Sequence, residues 1–390
     1  MPHEKRGGSL RQGAGLGAPA PVPRTVSWSR GFPACGTGFR SGLLVPCGLL
    51  LQAAVAILLI CVLAACGRRG NTIVVYSPMK GSVLGEVARA FERRTGTRVD
   101  IFYGGSGEIV SRVRAERGRP RGSVWIGAGG FIPFLVAKRE GLLAPYHPPA
   151  FDADLANVPA SIVTHDPDWA FAGAYILALG WAYDPTRTPP GSLPQDLTDL
   201  LAPRWKGQIE MSDPASSGTA TLFLESVLQE FIAAGRGEQA GWDYLRAFAP
   251  AVLRFPESGG APALDVGKGE AMLGLSFDQQ AYLARRQGQA IDFFLPRRTA
   301  IAIDPIALIK DGPNPDAARR FVDFFLAREA QGMIRAEGYF SLRRDVNPPP
   351  GSPYSLGDYA AHAMPLDLDW LAANFDRVRR TWREQIAAKP

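Results

Sequence analysis

The polar residues of this sequence that could hold a small molecule are grouped in short turns, each between an apolar run and a helical pattern. The candidates in these turns are Ser77, Ser106, Gly107, Ser216, Ser217, Gly218 and Thr219. The first N–H groups of a helix have no partner within the helix, and the helix dipole is positive there, so such a turn can hold an anion without a cationic side chain. Serine and threonine also cap helices of any function, so capping is the competing interpretation for each turn considered alone. Several such turns on two α/β segments together favour a ligand cleft at the carboxyl ends of strands.

The spacing of these residues does not match the common catalytic motifs. Gly104–Glu108 lacks the final glycine of a nucleophile elbow, and Gly127–Ile132 lacks the third glycine of a dinucleotide fingerprint. His147, His165 and His362 show no spacing typical of metal ligands. We therefore predict a binding protein and not an enzyme, with no cofactor and no metal. An exported α/β hydrolase or transferase that uses paired carboxylates is the alternative from another class.

The charge of the chain is concentrated at its start. The formal net charge is +6, of which residues 1–66 contribute +5, and the remaining residues carry 37 basic against 36 acidic side chains. A body so close to neutral lacks the basic surface that nucleic acid requires. We expect no nucleic-acid partner.

The first 66 residues have the pattern of an export signal. They contain all four cysteines of the chain, which are Cys35, Cys47, Cys61 and Cys66. Leu43–Ala65 is almost wholly apolar and follows Arg40, as in a secretory signal. Leu63–Gly67 resembles the lipobox of bacterial lipoproteins, which implies that Cys66 is acylated and becomes the first residue of the mature protein. An uncleaved membrane anchor is the alternative, and both place the body outside the cytoplasmic membrane.

Hydrophobic periodicity predicts the elements that position the polar turns. The predicted strands are Thr72–Tyr76, Val99–Tyr103, Ser123–Ile126, Gly207–Met211, Ala271–Ser276, Ile291–Leu295, Ala300–Ile303 and Ile306–Ile309. The predicted helices pass through residues 84–91, 109–113, 131–135 and 224–232, and the chain closes with Asp316–Leu326 and Leu371–Ile386. The helix through 224–232 is predicted to be amphipathic. The alternation of strands and helices predicts an α/β fold with a parallel sheet.

Five segments of the body carry a resemblance to a known family. They are Ile73–Tyr76 after the lipobox, Gly104–Gly107, Ser212–Ala220, Gly338–Val346 and Asp369–Asn374. In these segments the chain resembles the solute-binding proteins of ABC importers, in the group that holds ferric-ion, thiamine, 2-aminoethylphosphonate and hexose-phosphate binders. The likeness covers about residues 71–386, and Ser212–Ala220 is its most specific part.

The resemblance implies a type 2 periplasmic-binding fold, in which two α/β lobes are joined by two crossing strands and close over a ligand. We place the crossings near Tyr175–Tyr183 and Ala300–Pro305. The expected organisation is a leader at 1–66, a first lobe at 71–180 and 301–390, and a second lobe at 181–300.

One departure from the family pattern reduces the set of ligands that the resemblance implies. Ferric binders of this group present an adjacent tyrosine pair near the place of Ser276–Tyr282, where this chain has Tyr282 alone and Asp278 four positions earlier. This argues against direct iron coordination, although Asp278 could hold an amine or a hydroxyl group. Asp304, in the second crossing, is a further ligand-binding candidate.

The expected function is that of a lipid-anchored substrate-binding protein in the periplasm or at the cell surface. It would capture a small, anionic solute as a monomer and pass it to ABC permease subunits. Helix N-termini lined by serine and threonine favour an organic phosphate or phosphonate as the solute. Thiamine or its phosphates come second, and ferric ion, free or chelated, comes third.

Overall fold

The computed structural model describes residues 71–79, 82–127, 129–153, 158 and 162–387. These residues belong to one compact unit, Cys61–Pro390. The proposed lipidation site at Cys66 and the rest of the leader lie outside the described residues. Within the described ranges, no helix combines the length and the apolar character needed to span a bilayer.

The strands of the described chain form one continuous hydrogen-bonded series. They are β1 (Thr72–Ser77), β2 (Arg98–Tyr103), β3 (Val124–Ile126), β4 (Leu143–Ala144), β5 (Ala172–Tyr183), β6 (Ile209–Glu210), β7 (Val252–Arg254), β8 (Leu273–Phe277), β9 (Asp292–Phe294) and β10 (Ile301–Ile309). Their order is β2-β1-β3-β10-β5-β8-β6-β7, with β4 beside β10 and β9 beside β5. The predicted parallel pairing of the first three strands is confirmed, since β1 runs parallel to both β2 and β3.

The α-helices of the described chain flank these strands. They are α1 (Val83–Thr95), α2 (Ser106–Ala115), α3 (Ile132–Arg139), α4 (Ala150–Ala153), α5 (Gly218–Ala233), α6 (Gly237–Phe248), α7 (Ala261–Gly267), α8 (Asp278–Arg286), α9 (Pro315–Leu326), α10 (Arg328–Ala336), α11 (Leu356–His362) and α12 (Leu368–Trp382). Short 3-10 helices occupy Pro190–Ser192, Leu197–Leu201, Pro203–Trp205 and Ala249–Ala251, and a π-helical turn follows α12 at Arg383–Ala387.

The long strand β5 connects the two halves of the sheet, and the chain returns from β9 to the first half through β10. The first part of β5 pairs with β10, and its last part, from Leu179 onward, pairs with β8 and β9. The two segments predicted at 300–303 and 306–309 are in fact one strand, β10, with a register shift between Asp304 and Pro305. Proline has no N–H to donate to a ladder, so the break in pairing falls there. Strand β5 and the start of β10 therefore lie at the two predicted crossings.

We use the name first lobe for the half of the sheet with β1–β4 and its helices, and the name second lobe for the half with β6–β9 and its helices. The exact lobe boundaries stay a prediction. The last helix, α12, packs against both α3 of the first lobe and α5 of the second.

Helix α5 differs from its prediction. It was expected to be amphipathic, but most of its residues are buried, including the polar Glu225 and Gln229. Helix α5 packs against β8 of the sheet and is also covered by α6 and by α12. A helix that packs against neighbours on two sides buries both its faces. The hydrophobic periodicity of its sequence does not show that the second face is also covered.

Candidate ligand-binding cleft

A cleft of about 540 Å³ lies between the two lobes. From the first lobe it is lined by the turn after β2, by Gly129 and by side chains of β5 and β10, and from the second lobe by the turn before α5, the turn before α7 and the start of α8. Among the sequence candidates, those that line the cleft are Ser106, Ser216, Ser217, Gly218, Thr219 and Asp304. Sequence reasoning thus predicted two opposite walls of this cleft.

The first-lobe wall is the start of helix α2. Its N-cap is Gly105, in an extended conformation, and no side chain caps the helix. Ser106 is the first helical residue and is buried at the cleft wall. Capping therefore does not account for Ser106, and the first turn of α2 presents backbone N–H groups and one hydroxyl to the cleft.

The second-lobe wall is the start of helix α5. Ser217 is its N-cap, and the Ser217 hydroxyl oxygen accepts a hydrogen bond from the Ala220 N–H at 3.5 Å. The Ser216 hydroxyl donates to the Glu257 carbonyl at 2.7 Å. A methyl group placed on Gly259 would lie 3.0 Å from the hydroxyl oxygens of both Ser217 and Thr219. These two hydroxyls therefore point to the same region of the cleft, and Ser217 both caps the helix and faces that region.

The two walls approach each other closely through glycine. A methyl group on Gly129, in the first lobe, would lie 2.9 Å from the Gly218 Cα and 3.1 Å from the Thr219 nitrogen. A methyl group on Gly107 would lie 2.6 Å from the Ala215 carbonyl oxygen. Since a Cβ does not fit at these distances, glycine is required here. The structure is closed at this end of the cleft.

The floor of the cleft carries a buried carboxylate between two tyrosines. Asp304 is 4% exposed, and its Oδ2 accepts a hydrogen bond from the Tyr175 hydroxyl at 3.0 Å. The Gly130 N–H donates to its Oδ1. The rings of Tyr175 and Tyr339 are 4.5 Å apart. Burial, together with the negative charge of Asp304, raises the pKa of both phenols above the usual range, so both are neutral at pH 7. Tyr175 and Tyr339 are cleft residues that sequence reasoning missed.

Asp278 lies outside this cleft. Its carboxylate accepts hydrogen bonds from the Ala178 N–H, at 3.0 Å, and from the Tyr359 hydroxyl. Burial raises its pKa to about 6, although these hydrogen bonds oppose the shift. Asp278 and Tyr282 line a separate small cavity of about 30 Å³. The expectation that Asp278 holds a ligand group is therefore not supported by its position.

Two further candidates from the sequence, Ser77 and Gly107, do not line the cleft. Ser77 is fully buried, and its hydroxyl oxygen accepts a hydrogen bond from the Met79 N–H at 3.1 Å, which closes a local turn. Pro78 and Met79 line the cleft in its place. Gly107 serves the close approach to Ala215.

The turn Glu257–Gly260 also lines the cleft and was missed. It follows β7 and precedes α7, so it has the same strand, glycine-serine turn and helix order as the turns that were found. The signal was present in the sequence. Within the described residues, no group of three His, Cys, Asp or Glu side chains is arranged to hold a metal ion.

The profile of the bacterial extracellular solute-binding proteins matches residues 72–340. The chain belongs to this family. The match contains both walls and the floor of the cleft, and it confirms the resemblance drawn from the sequence segments.

Several relatives of this solute-binding protein are named for a ligand. A protein of Salmonella paratyphi A named for 2-aminoethylphosphonate binding in the periplasm is 28% identical over 271 residues, which cover 66% of this chain and 74% of the relative. The major ferric iron-binding protein of Neisseria meningitidis is 25% identical over 274 residues, covering 68% and 78%. These relatives are named as binding proteins and not as enzymes.

The fold is also confirmed by solved structures. The periplasmic binding protein AfuA of Actinobacillus pleuropneumoniae, solved with fructose-6-phosphate bound, matches with a TM-score of 0.71 and 25% identity, and the match covers 82% of this chain and 99% of AfuA. The two-lobed, type 2 periplasmic-binding fold predicted from the sequence is therefore correct.

Proposed function

We propose that this protein captures a small solute that carries a phosphate or phosphonate group together with a cationic nitrogen, and delivers it to an ABC importer. The observation that supports this proposal most directly is that helices α2 and α5 begin at opposite walls of one cleft. The positive ends of two helix dipoles and the free N–H groups of both first turns favour an anionic group between them. The Ser106 and Thr219 hydroxyls add donors at the same place.

The cationic part of the solute follows from the acidic residues of the cleft. Among the described residues that line it, Glu108, Glu257 and Asp304 are acidic and none is Lys, Arg or His. The first two are exposed, so solvent screens their charge, but Asp304 is buried. The Asp304 carboxylate at the floor would repel a purely anionic solute. An amine donating to Asp304 removes this repulsion.

The relative named for 2-aminoethylphosphonate supports this proposal, because that compound has both groups. Thiamine phosphates also combine a cationic nitrogen with phosphate. Ferric ion is the third candidate, and its support is the relative named for ferric iron.

The test is calorimetric titration of the purified protein with compounds that differ by one group. We expect 2-aminoethylphosphonate to bind more tightly than ethylphosphonate, which lacks the amine, and than ethylamine, which lacks the phosphonate. Thiamine monophosphate, fructose-6-phosphate and ferric citrate complete the panel. A ligand at one hundred times its Kd should raise the unfolding free energy by about 2.7 kcal/mol.

The matched variant is Asp304→Asn, which keeps the size of the side chain and removes its charge. Loss of a hydrogen bond to a charged group should weaken binding of the amine-bearing compound by about 10- to 150-fold and leave ethylphosphonate binding unchanged or stronger. Tight binding of ferric citrate alone would contradict the proposal. Turnover of any compound at enzymatic rates would favour the hydrolase or transferase alternative.

We also propose that the protein acts as a monomer in the periplasm or at the cell surface, held to the membrane by a lipid on Cys66. The lipobox at Leu63–Gly67 supports the anchor. The relatives named as periplasmic support the location.

A further inference from the structure

Helix α12 forms a third connection between the lobes, in addition to β5 and β10. It packs against α3 of the first lobe and α5 of the second. On one side, the Arg114 guanidinium of the first lobe pairs with Asp376 at 2.9 Å. On the other side, Arg377 pairs with Glu238 of the second lobe at 2.6 Å. The helix is therefore bonded to both lobes at neighbouring positions of its surface.

Arg379 reaches from α12 into the seam between the two binding turns. Its Nε donates to the Pro214 carbonyl at 2.9 Å, and its Nη2 donates to the Ala215 carbonyl. A methyl group on Gly107 would lie 2.7 Å from that Nη2. The guanidinium is thus bonded to the turn that leads into Ser216 and lies beside Gly107, at the start of α2 in the opposite lobe.

The guanidinium packs against an aromatic ring and lies near a buried carboxyl group. Its central carbon lies 4.9 Å from the centre of the Phe375 ring, one turn earlier on α12. Glu225 of α5 is fully buried, and neither of its carboxylate oxygens has a hydrogen-bond partner among the described residues. Burial raises the pKa of Glu225, and the charge of Arg379 opposes that rise, so the two groups interact electrostatically. A planar guanidinium can also donate to two adjacent carbonyls at once, which an ammonium group does less well.

From these contacts we infer that Arg379 is a positioning residue for solute capture: it holds the backbone of the second-lobe binding turn against the first-lobe turn and so favours the closed arrangement of the lobes. This inference rests on the proposed function, because closure matters only if the cleft holds a solute. Closure is a population shift, and a contact made only in the closed form moves that equilibrium without touching the solute.

The test compares variants by small-angle X-ray scattering of the ligand-free protein. Arg379→Gln removes the charge and the two-carbonyl bridge, and we expect a larger radius of gyration than in the parent. Arg380→Gln is the matched control, since it removes the same charge from an exposed position one residue later on the same helix, and we expect the parental radius. Arg379→Lys keeps the charge beside Glu225 and is expected to be intermediate. It also remains informative if Arg379→Gln is unstable.

A saturating solute should return all variants to the parental radius, with a Kd about tenfold higher for Arg379→Gln than for Arg380→Gln. A parental radius for both Arg379 variants, or equal opening in Arg380→Gln, would overturn the inference. The scattering measurement needs no solute, so its outcome stands even if no compound of the panel binds. If a solute binds and the radius is unchanged, only the role of Arg379 fails.

Discussion

Replacing Gly129 with alanine tests whether the cleft works in the closed form that the structure shows. Gly129 has a φ of +71°, and a methyl group on it would lie 2.9 Å from the Gly218 Cα and 3.1 Å from the Thr219 nitrogen. Both neighbours are backbone atoms of the opposite lobe, so neither can rotate away. Ordinary contacts of a Cβ begin near 3.4 Å, so the lobes must separate by about 0.5 Å at this point.

The substitution is expected to lower both the stability of the protein and its affinity for the solute, and the two effects are measured separately. A residue with a Cβ in the left-handed region loses about 1–2 kcal/mol of stability, whether the cleft is open or closed. Separation of the walls affects only the closed form, where it costs at least one hydrogen bond to the charged solute group. That bond contributes about 1.5–3 kcal/mol, which corresponds to a Kd about 10- to 150-fold higher.

Gly141→Ala is the matched control. Gly141 has a φ of +68°, and a methyl group on it would meet no atom within 4 Å. The unfolding free energy of Gly141→Ala, measured in urea, should therefore fall by about the same amount as that of Gly129→Ala. Its affinity for the solute should equal that of the parent. The affinity is measured by calorimetry with the tightest compound of the panel. Equal affinities for Gly129→Ala and Gly141→Ala would refute the reasoning that the two walls close on the solute at Gly129.

Three further predictions concern single side chains. Thr219→Val removes a hydroxyl but keeps the shape of the side chain. We expect a Kd at least about 10-fold higher in calorimetry and an unfolding free energy within about 1 kcal/mol of the parent. An unchanged Kd would show that the hydroxyl does not bind the solute. Cys66→Ala should abolish acylation, seen as loss of lipid labelling and of membrane partitioning in fractionated cells, and unchanged partitioning and size would disprove the anchor. Burial raises the pKa of Asp278 from 3.8 to about 6, so its contribution to stability is fully present below about pH 4 and is lost as the pH rises through 6. The unfolding free energy of Asp278→Asn, measured in urea titrations, should therefore fall by about 2.4 kcal/mol less than that of the parent between pH 4 and pH 7. Parallel pH profiles would show that Asp278 titrates normally.

The local elements were predictable because their signals are local. The apolar run Thr72–Tyr76 becomes β1, and the helical spacing of Leu84, Val87 and Phe91 becomes the buried face of α1. Gly96, at a φ of +70°, ends that helix as the sequence indicated. Period and turn residues determine such elements through backbone sterics and burial, without information from distant parts of the chain.

The two walls of the cleft were also predictable, because polar turns after parallel strands meet at one edge of a sheet. The position of Asp278 was not. It begins α8 directly after β8, yet Gln279 and Gln280 line the cleft and Asp278 does not. Successive residues of a helix point about 100° apart, so neighbouring side chains face different surroundings, and the sequence does not state which one faces the solute.

The sequence by itself determined the α/β fold, the two crossings between the lobes and the two serine-rich walls, and it also predicts the export signal. Only the tertiary structure showed that Asp304 meets Tyr175, more than one hundred positions away, and that Arg379 of the last helix reaches the turn at Pro214. Such contacts depend on how β5 pairs with β10 and how α12 lies across both lobes. Register and packing of this kind arise from the summed burial of many side chains, so no short segment of the sequence encodes them.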